Sequence, residues 1–296
     1  MITMLWVLSV ASIMTVVAAL AGRNSFNAAR NRVQLERAFW AASGCAERAR
    51  ESIDAALESA GSFEDAAQVW RMLDRRTSSP DHSDCDVLLE AAGTRLDLNS
   101  ASEEMVDRFL VGLAYADTTA HAMSEALADW RDTDSVARPD GAEADWYTQH
   151  SRELPRNGPI ADVRELMRVR GFENTHAIQA LLTTDAGRVS LATAPPAVLL
   201  AVPGITQETA DVLASLHEAG HPVLDLLSVV SLISQSSAEL LVARYPDAIR
   251  VTTTDPDAWT IIVRARQGFP RSEVTLRWRV VRNGKRGIVV STRTDS

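Results

Sequence analysis

Residues 1–22, MITMLWVLSVASIMTVVAALAG, contain no charge and no proline, and Arg23 is the first ionisable side chain. At about 1.5 Å per residue, a helix of this length measures roughly 33 Å, enough to cross the hydrocarbon core of a bilayer. The segment reads as a membrane span. A secretory signal would show a basic start, a shorter apolar core and a small-residue cleavage site. None of these is clear, so the helix is expected to be retained. Beyond it, Val33, Leu35, Ala38, Phe39, Ala42, Cys45, Ala46, Ala49, Ile53, Ala56 and Leu57 keep the three-four spacing of one helix face. Arg37, Glu47, Arg48, Arg50, Glu51, Asp54 and Glu58 fall between them, and the next proline is Pro80. One helix of roughly 85 Å is predicted to residue 58, with Gly22 as the place for a bend.

At 296 residues the chain has room for two or more domains besides this helix. Its net charge of -9 hides a split. Asp81 to Asp145 holds 16 acidic residues against 4 arginines, whereas the stretch from Ile249 onward holds 10 basic residues against 4 acidic. An acidic middle argues against nucleic acid and for bound cations or a basic partner. Cys45 and Cys85 are the two cysteines. Outside the cytoplasm they can pair, and spacing alone leaves both the disulfide and two separate thiols open. Arg23, Arg30, Arg32 and Arg37 directly follow the apolar run, which by the positive-inside rule places that side in the cytoplasm.

Ser62 to Met72 reads as a short helix, Thr77 to Asp86 as a polar loop and Asp86 to Glu90 as a candidate strand. Then an internal repeat begins. Arg95-Leu96-Asp97-Leu98-Asn99-Ser100-Ala101 recurs 93 residues later as Arg188-Val189-Ser190-Leu191-Ala192-Thr193-Ala194. In each copy an extended piece runs into a helix start, with Ser100 and Glu103 as a capping box and Thr193 capping a helix that begins at Pro195-Pro196. Gly112 and Gly204 are expected to end the first helix of each copy, giving a helix-hairpin-helix pattern used twice. Val163 to Phe172 reads as a further helix of the first unit, and Val223 to Ala243 as the closing helices of the second. Past Tyr245-Pro246 the period changes to two over Trp259–Arg266, Glu273–Arg282 and Arg286–Thr292, with breaks at Gly268/Pro270 and Asn283-Gly284. A three-stranded antiparallel sheet is predicted, with one apolar face covered by the long helix.

Leu98-Asn99-Ser100-Ala101, Asp129-Trp130-Arg131-Asp132-Thr133-Asp134, Gly141-Ala142-Glu143-Ala144-Asp145-Trp146-Tyr147, Asn157-Gly158-Pro159 and Val163-Arg164-Glu165-Leu166 follow one another in this order. The chain thereby resembles, over essentially its whole length, the K-type minor pseudopilin of type II secretion systems. The WRDxD and GAExxxY stretches at this spacing are the specific part. The resemblance implies an α+β fold: a long pilin-like N-terminal helix packed on a small C-terminal antiparallel sheet, with a large inserted all-α domain of two helix-hairpin-helix (SAM-like) units. The expected division is a transmembrane part at 1–22, the periplasmic helix and start of the pilin-like domain at 23–94, helical units at 95–185 and 186–245, and the sheet at 246–296. It further implies a non-enzymatic subunit in the inner membrane with its globular part in the periplasm, overruling the arginine count. Such a subunit caps the tip of the pseudopilus, helps initiate assembly and contacts I- and J-type minor pseudopilins through residues 5 to 57. No nucleic-acid or small-molecule partner is expected. Major pilins carry glutamate as the fifth mature residue and K-type members lack it, which Leu5 fits if Met1 lies close to the mature N-terminus.

The acidic cluster Asp129, Asp132, Asp134, Asp140, Glu143 and Asp145 is the strongest local signal. So many carboxylates repel unless solvated or sharing a cation, and hard oxygens in a Gly/Pro-bearing loop suit Ca²⁺. Asp132, Asp134 and Glu143 stand at positions 1, 3 and 12 of an EF-hand count, but Val136 and Ala137 occupy positions where a ligand and a glycine are required. The residues by themselves allow a solvated loop or a structural Ca²⁺ held by Asp132, Asp134, Asp140, Glu143 and Asp145, and the resemblance implies calcium. His217-Glu218-Ala219-Gly220-His221 spells the zinc-protease signature H-E-x-x-H. That chemistry needs one continuous helix, and Gly220 and Pro222 argue against it. A membrane-anchored DNA-binding protein is the other alternative, but Pro203-Gly204-Ile205-Thr206 and Val111-Gly112-Leu113-Ala114 lack the second glycine of a phosphate-binding hairpin.

Overall fold

The computed structural model describes residues 2–71, 73, 85–221, 223–268 and 272–295, with backbone only for residues 2, 3, 5, 7, 8, 24 and 295. The polar loop expected at Thr77 to Asp86 lies largely outside the described residues, as do Pro222 and Pro270. Helix α1 (Ile2–Glu58) continues through Gly22 as the periodicity predicts. Its first half is exposed around its circumference, with Trp6, Val10, Ile13, Met14, Val17, Leu20 and Phe26 all in the open. Among the described residues no helix is long and apolar enough to cross a membrane, a set that omits most side chains of the first eight residues.

The second half of α1 buries Ala38, Ala42, Cys45, Ala46, Ala49, Ile53 and Leu57. Alanines along this face let the helix axis approach the sheet closely, and Ile53 and Leu57 fill the space nearer its end. The sheet has four strands, not three: β1 (Cys85–Ala91), β6 (Trp259–Gln267), β7 (Ser272–Asn283) and β8 (Arg286–Asp295), in the order β1-β6-β7-β8 and antiparallel throughout. The extra strand β1 precedes the whole insertion and pairs Leu89 with Ile261 and Ala91 with Trp259 across it. Such a long-range pairing leaves no local signature. The turn between β7 and β8 is Gly284-Lys285, one residue after the expected Asn-Gly, with Gly284 at φ 63°.

Helix α2 (Phe63–Arg71) is tied to the strand that returns from the insertion. The buried Trp70 indole donates to the Pro256 carbonyl at 2.8 Å, and the buried Trp259 indole donates to the Trp70 carbonyl at 2.9 Å. Replacing Trp70 with Phe keeps most of the bulk but strands the Pro256 carbonyl. A loss of about 1–3 kcal/mol in denaturant-derived stability is expected, and an unchanged unfolding midpoint would show the lock is dispensable.

The insertion between β1 and β6 has its own core, built around Phe109, Leu110, Leu127, Trp130, Tyr147, Leu166, Leu199 and Leu241. It contains two short parallel pairings, β2 (Leu96–Asp97) with β3 (Leu182–Thr183) and β4 (Val189–Ser190) with β5 (Thr252–Thr253). Between β2 and β3 lie α3 (Glu103–Gly112), α4 (Asp117–Arg131) and α5 (Ala144–Gln149), and between β4 and β5 lie α6 (Pro196–Leu199), α7 (Gln207–Glu218) and α8 (Gln235–Val251).

The expected helix over Val163 to Phe172 is a 3-10 turn at Val163–Arg168, and a second one covers Leu226–Leu232. Helix α8 runs through Pro246 to Val251, so that proline does not end it. The caps also move. Ser102, not Ser100, caps α3 by accepting from Met105 N–H at 3.2 Å, because Asp97 first accepts from Asn99 N–H and prolongs the turn. Helix α6 starts after Pro195, and Thr193 instead meets Thr94. The left-handed residue of the first hairpin is Ala114 (φ 66°), matching Gly204 (φ 84°) of the second. Gly112 is the last residue of α3 and lies against the Leu200 side chain.

Candidate metal centre

The loop from α4 to α5 is organised by one buried carboxylate. Asp129, in the last turn of α4, is 0% exposed. Arg138 donates to its Oδ1 from Nη1 at 2.6 Å, and the same guanidinium reaches Asp132 Oδ2 at 2.6 Å and Glu103 Oε1 at 2.8 Å. The hydrogen bond that Arg138 donates to Asp132 foremost, with those it donates to Asp129 and Glu103, holds its pKa above the ordinary value. Gly141 sits directly on Asp129, where any Cβ would overlap Asp129 Oδ2. This explains the glycine that opens the GAExxxY stretch.

The turn around Arg138 brings Asp132, Asp134 and Glu143 together, with one oxygen from each lying within 4.8 Å of the others. Asp134 Oδ1 also accepts from Val136 N–H at 2.9 Å, and Glu143 accepts from Ala144 N–H as it caps α5. Asp132 Oδ1 and Glu143 Oε1 are shielded from solvent and have no hydrogen-bond donor among the described residues. Buried anionic oxygens without donors are costly. Oxygens bound to one ion at about 2.4 Å can be no more than about 4.8 Å apart, so these three carboxylates fit a hard divalent cation.

Burial is the main effect pushing the Glu143 carboxyl above the usual range. The Ala144 N–H opposes it, and the charges of Asp129, Asp132 and Asp134 add to it. A carboxyl whose pKa is raised by folding binds its proton more tightly in the folded chain. Ion-free stability therefore falls as pH rises from the unfolded value through the raised folded one. In EDTA, Glu143→Gln is expected to melt higher than the parent protein at neutral pH, with the difference vanishing below the unfolded carboxyl pKa. A constant difference across that range would contradict the assignment.

The remaining acidic residues of the cluster go elsewhere. Asp140 is exposed and groups with His121 and Glu125: His121 Nε2 lies 3.3 Å from Glu125 Oε1, and Asp140 N–H donates to Glu125 Oε2 at 2.6 Å. Asp145 is exposed in the first turn of α5 and belongs to neither group. Arg138, Glu125 and His121 were not singled out by the sequence reading. The His121–Glu125 spacing of four was legible, whereas the role of Arg138 depends on a chain reversal that no local pattern announces.

The other motif residues build the walls. Trp130 is buried and donates to Glu165 Oε1 at 3.1 Å, while Arg156 donates to the same oxygen at 2.8 Å. Arg131 donates to the Leu98 and Ala101 carbonyls, Asn99 exchanges hydrogen bonds with the Ile160 backbone, and the buried Tyr147 hydroxyl accepts from Arg170 N–H at 3.0 Å. The H-E-x-x-H stretch forms no comparable centre. Helix α7 stops at Glu218, Gly220 is left-handed at φ 75°, and His221 lies beyond it. The hairpin at Gly204 packs under α8, with a Cβ there meeting Arg244 Cβ at 2.8 Å.

Residues 87–183, the stretch that builds this centre, match the model of a type II secretion system protein K family. The chain superposes, over most of its length, on one from the crystal structure of the GspK-GspI-GspJ complex from the type 2 secretion system of enterotoxigenic Escherichia coli. The TM-score is 0.55 at 15% identity, covering 88% of this chain and 96% of that one. Over residues 87–183 the chain is thus similar to the type II secretion protein K family. No curated protein matches it by sequence. Its long helix, four-stranded sheet and inserted helical region are the architecture of the superposed chain.

Proposed function

We propose that this chain is a K-type minor pseudopilin of a type II secretion system, a structural subunit that caps the tip of a periplasmic pseudopilus and helps start its assembly, with I- and J-type minor pseudopilins as neighbours. The observation that carries the reading is the contrast within α1, whose first half is apolar and exposed all round while its second half is covered by the sheet. A rod of this kind is stable only in lipid or among similar rods. The uncharged run of residues 1–22 supports a single pass through the inner membrane, and the disulfide that joins Cys45 to Cys85 supports a periplasmic head. The insertion, which we assign to two helix-hairpin-helix units, is far larger than the sheet that carries it. A subunit so wide leaves no room for another stacked above it. The superposed GspK was solved with GspI and GspJ, which names the sister subunits to test.

The full chain in detergent is expected to co-purify with its I- and J-type sisters, and Val17→Asp in the exposed half of α1 to weaken that association. If the two sisters bind each other but never this chain, the tip assignment fails.

The same reading assigns a structural Ca²⁺ to Asp132, Asp134 and Glu143. Bound there, the ion supplies positive charge that relieves carboxylate repulsion and pins the loop between α4 and α5. At a hundred times its Kd, Ca²⁺ is expected to add about 2.7 kcal/mol, read as a melting temperature raised by Ca²⁺ and lowered by EDTA. No response to either would remove the ion from the account.

A further inference from the structure

Apart from the carboxylates assigned to calcium, α4 carries a group of different chemistry. His121 and Glu125 stand four residues apart, a spacing that puts both side chains on one face of the helix. Asp140 reaches them from the loop leading to α5, and one donor atom from each of the three lies within 4.8 Å of the others. Glu125 is only 7% exposed, yet no arginine or lysine among the described residues pairs with it. Its Oε2 accepts from the Asp140 N–H at 2.6 Å, whereas its Oε1 accepts no hydrogen bond from any described residue and faces His121 Nε2 at 3.3 Å. Buried charges are paired or coordinate metals. A charge-assisted hydrogen bond from nitrogen to carboxylate spans about 2.7–2.9 Å, less than this gap. Two ligands of a tetrahedral ion, bound at about 2.0–2.1 Å, stand about 3.3–3.4 Å apart, which is the separation of Nε2 and Oε1.

The third donor is held on a fixed backbone. Besides the N–H given to Glu125, the Asp140 carbonyl accepts from Arg170 Nη1 at 3.2 Å, and the same nitrogen donates to the Gly141 carbonyl at 2.7 Å. The Asp140 side chain itself is exposed, so an ion can enter from solvent. Further acidic groups surround the imidazole. Asp117 lies one turn before His121 on α4. Burial is the main effect raising the pKa of Asp107 on α3, and the charge of His121 acts against it. Asp107 Oδ1 is shielded from solvent and has no donor among the described residues. Such a field raises the local concentration of cations. The imidazole then selects among them, because Ca²⁺ takes oxygen ligands, whereas imidazole suits Zn²⁺ and related transition metals.

We propose that His121, Glu125 and Asp140 bind a divalent transition-metal ion of the Zn²⁺ class, with water completing its coordination, and that this ion ties the loop after α4 back to the middle of that helix. The site is separate from the one given to Ca²⁺ and stands whether or not that one fills, and it does not depend on the tip-capping reading. The test uses the full chain in detergent with excess Ca²⁺, titrated with Co²⁺ and followed by the visible absorption of the bound ion, whose intensity reports tetrahedral geometry. Saturable binding is expected, displaced by Zn²⁺ and weakened about tenfold or more by His121→Asn and by Asp140→Asn. The melting temperature of each variant in EDTA is measured alongside. Asp140→Asn keeps the N–H that Glu125 accepts, so it reads the site even where losing the imidazole destabilises α4. Absence of saturable Co²⁺ binding, unchanged affinity in either variant, or release of Co²⁺ by added Ca²⁺ would overturn the proposal.

Discussion

Replacing Arg138 with methionine is expected to destabilise the insertion by about 3–5 kcal/mol, the effect of stripping a buried charge of its partner. Asp129 is entirely buried, and Arg138 both donates to it from the guanidinium and places its own N–H 3.2 Å from Oδ2. Methionine preserves the side-chain bulk and the backbone donor, so the loss isolates the charge. The same guanidinium neutralises Asp132. Its removal should therefore make the chain depend more strongly on added Ca²⁺, which takes over part of that neutralisation in the proposed centre. Thermal melts of parent and variant, each with Ca²⁺ and with EDTA, provide the check. A variant that melts within a degree or two of the parent in EDTA would mean that Asp129 is satisfied by backbone donors alone. The double substitution Asp129→Asn, Arg138→Met should recover part of the loss, because it removes the stranded charge itself.

Breaking the bond between Cys45 and Cys85 is expected to cost about 4 kcal/mol, from the chain entropy released when a loop of this length opens. The bond joins the buried face of α1 to the first residue of β1, across a sequence separation of 40. It thus fixes the edge strand against the helix that covers the sheet. The loss should appear in a Cys45→Ala, Cys85→Ala double variant as a lower denaturant midpoint, and dithiothreitol should produce it in the parent but not in the variant. Equal midpoints in both forms would show that packing of Ile53, Leu57 and Leu89 already fixes this corner. Because the unfolded chain gains freedom at the disulfide while the folded contacts persist, binding of sister subunits through the exposed half of α1 should survive reduction.

Several elements were legible from residue order because their causes are local. The three-four spacing from Val33 to Leu57 marks the buried face of α1, and the period-two stretches after Trp259 mark β6, β7 and β8. The repeated segments form short strands at 96–97 and 189–190, because a strand entering a helix start is a short-range pattern. Caps were less secure: Ser100 and Thr193 are as well suited chemically as the residues actually used, and side-chain turns at Asp97 and Ser190 decide between them. The period changes past Tyr245-Pro246, yet α8 continues through Pro246 to Val251. Of the five proposed metal ligands, the structure gathers Asp132, Asp134 and Glu143, whereas Asp140 turns to Glu125 and Asp145 faces solvent.

Residue order alone determined that this chain has an apolar rod, an amphipathic continuation, helices in its middle and strands at its end, since each follows from the period at which apolar side chains recur. Tertiary structure alone decided that β1 joins the sheet, that Cys45 meets Cys85, that Arg138 folds back on Asp129, and which carboxylates share a site. Those facts depend on distances between residues far apart in the chain, and periodicity contains no information about such distances.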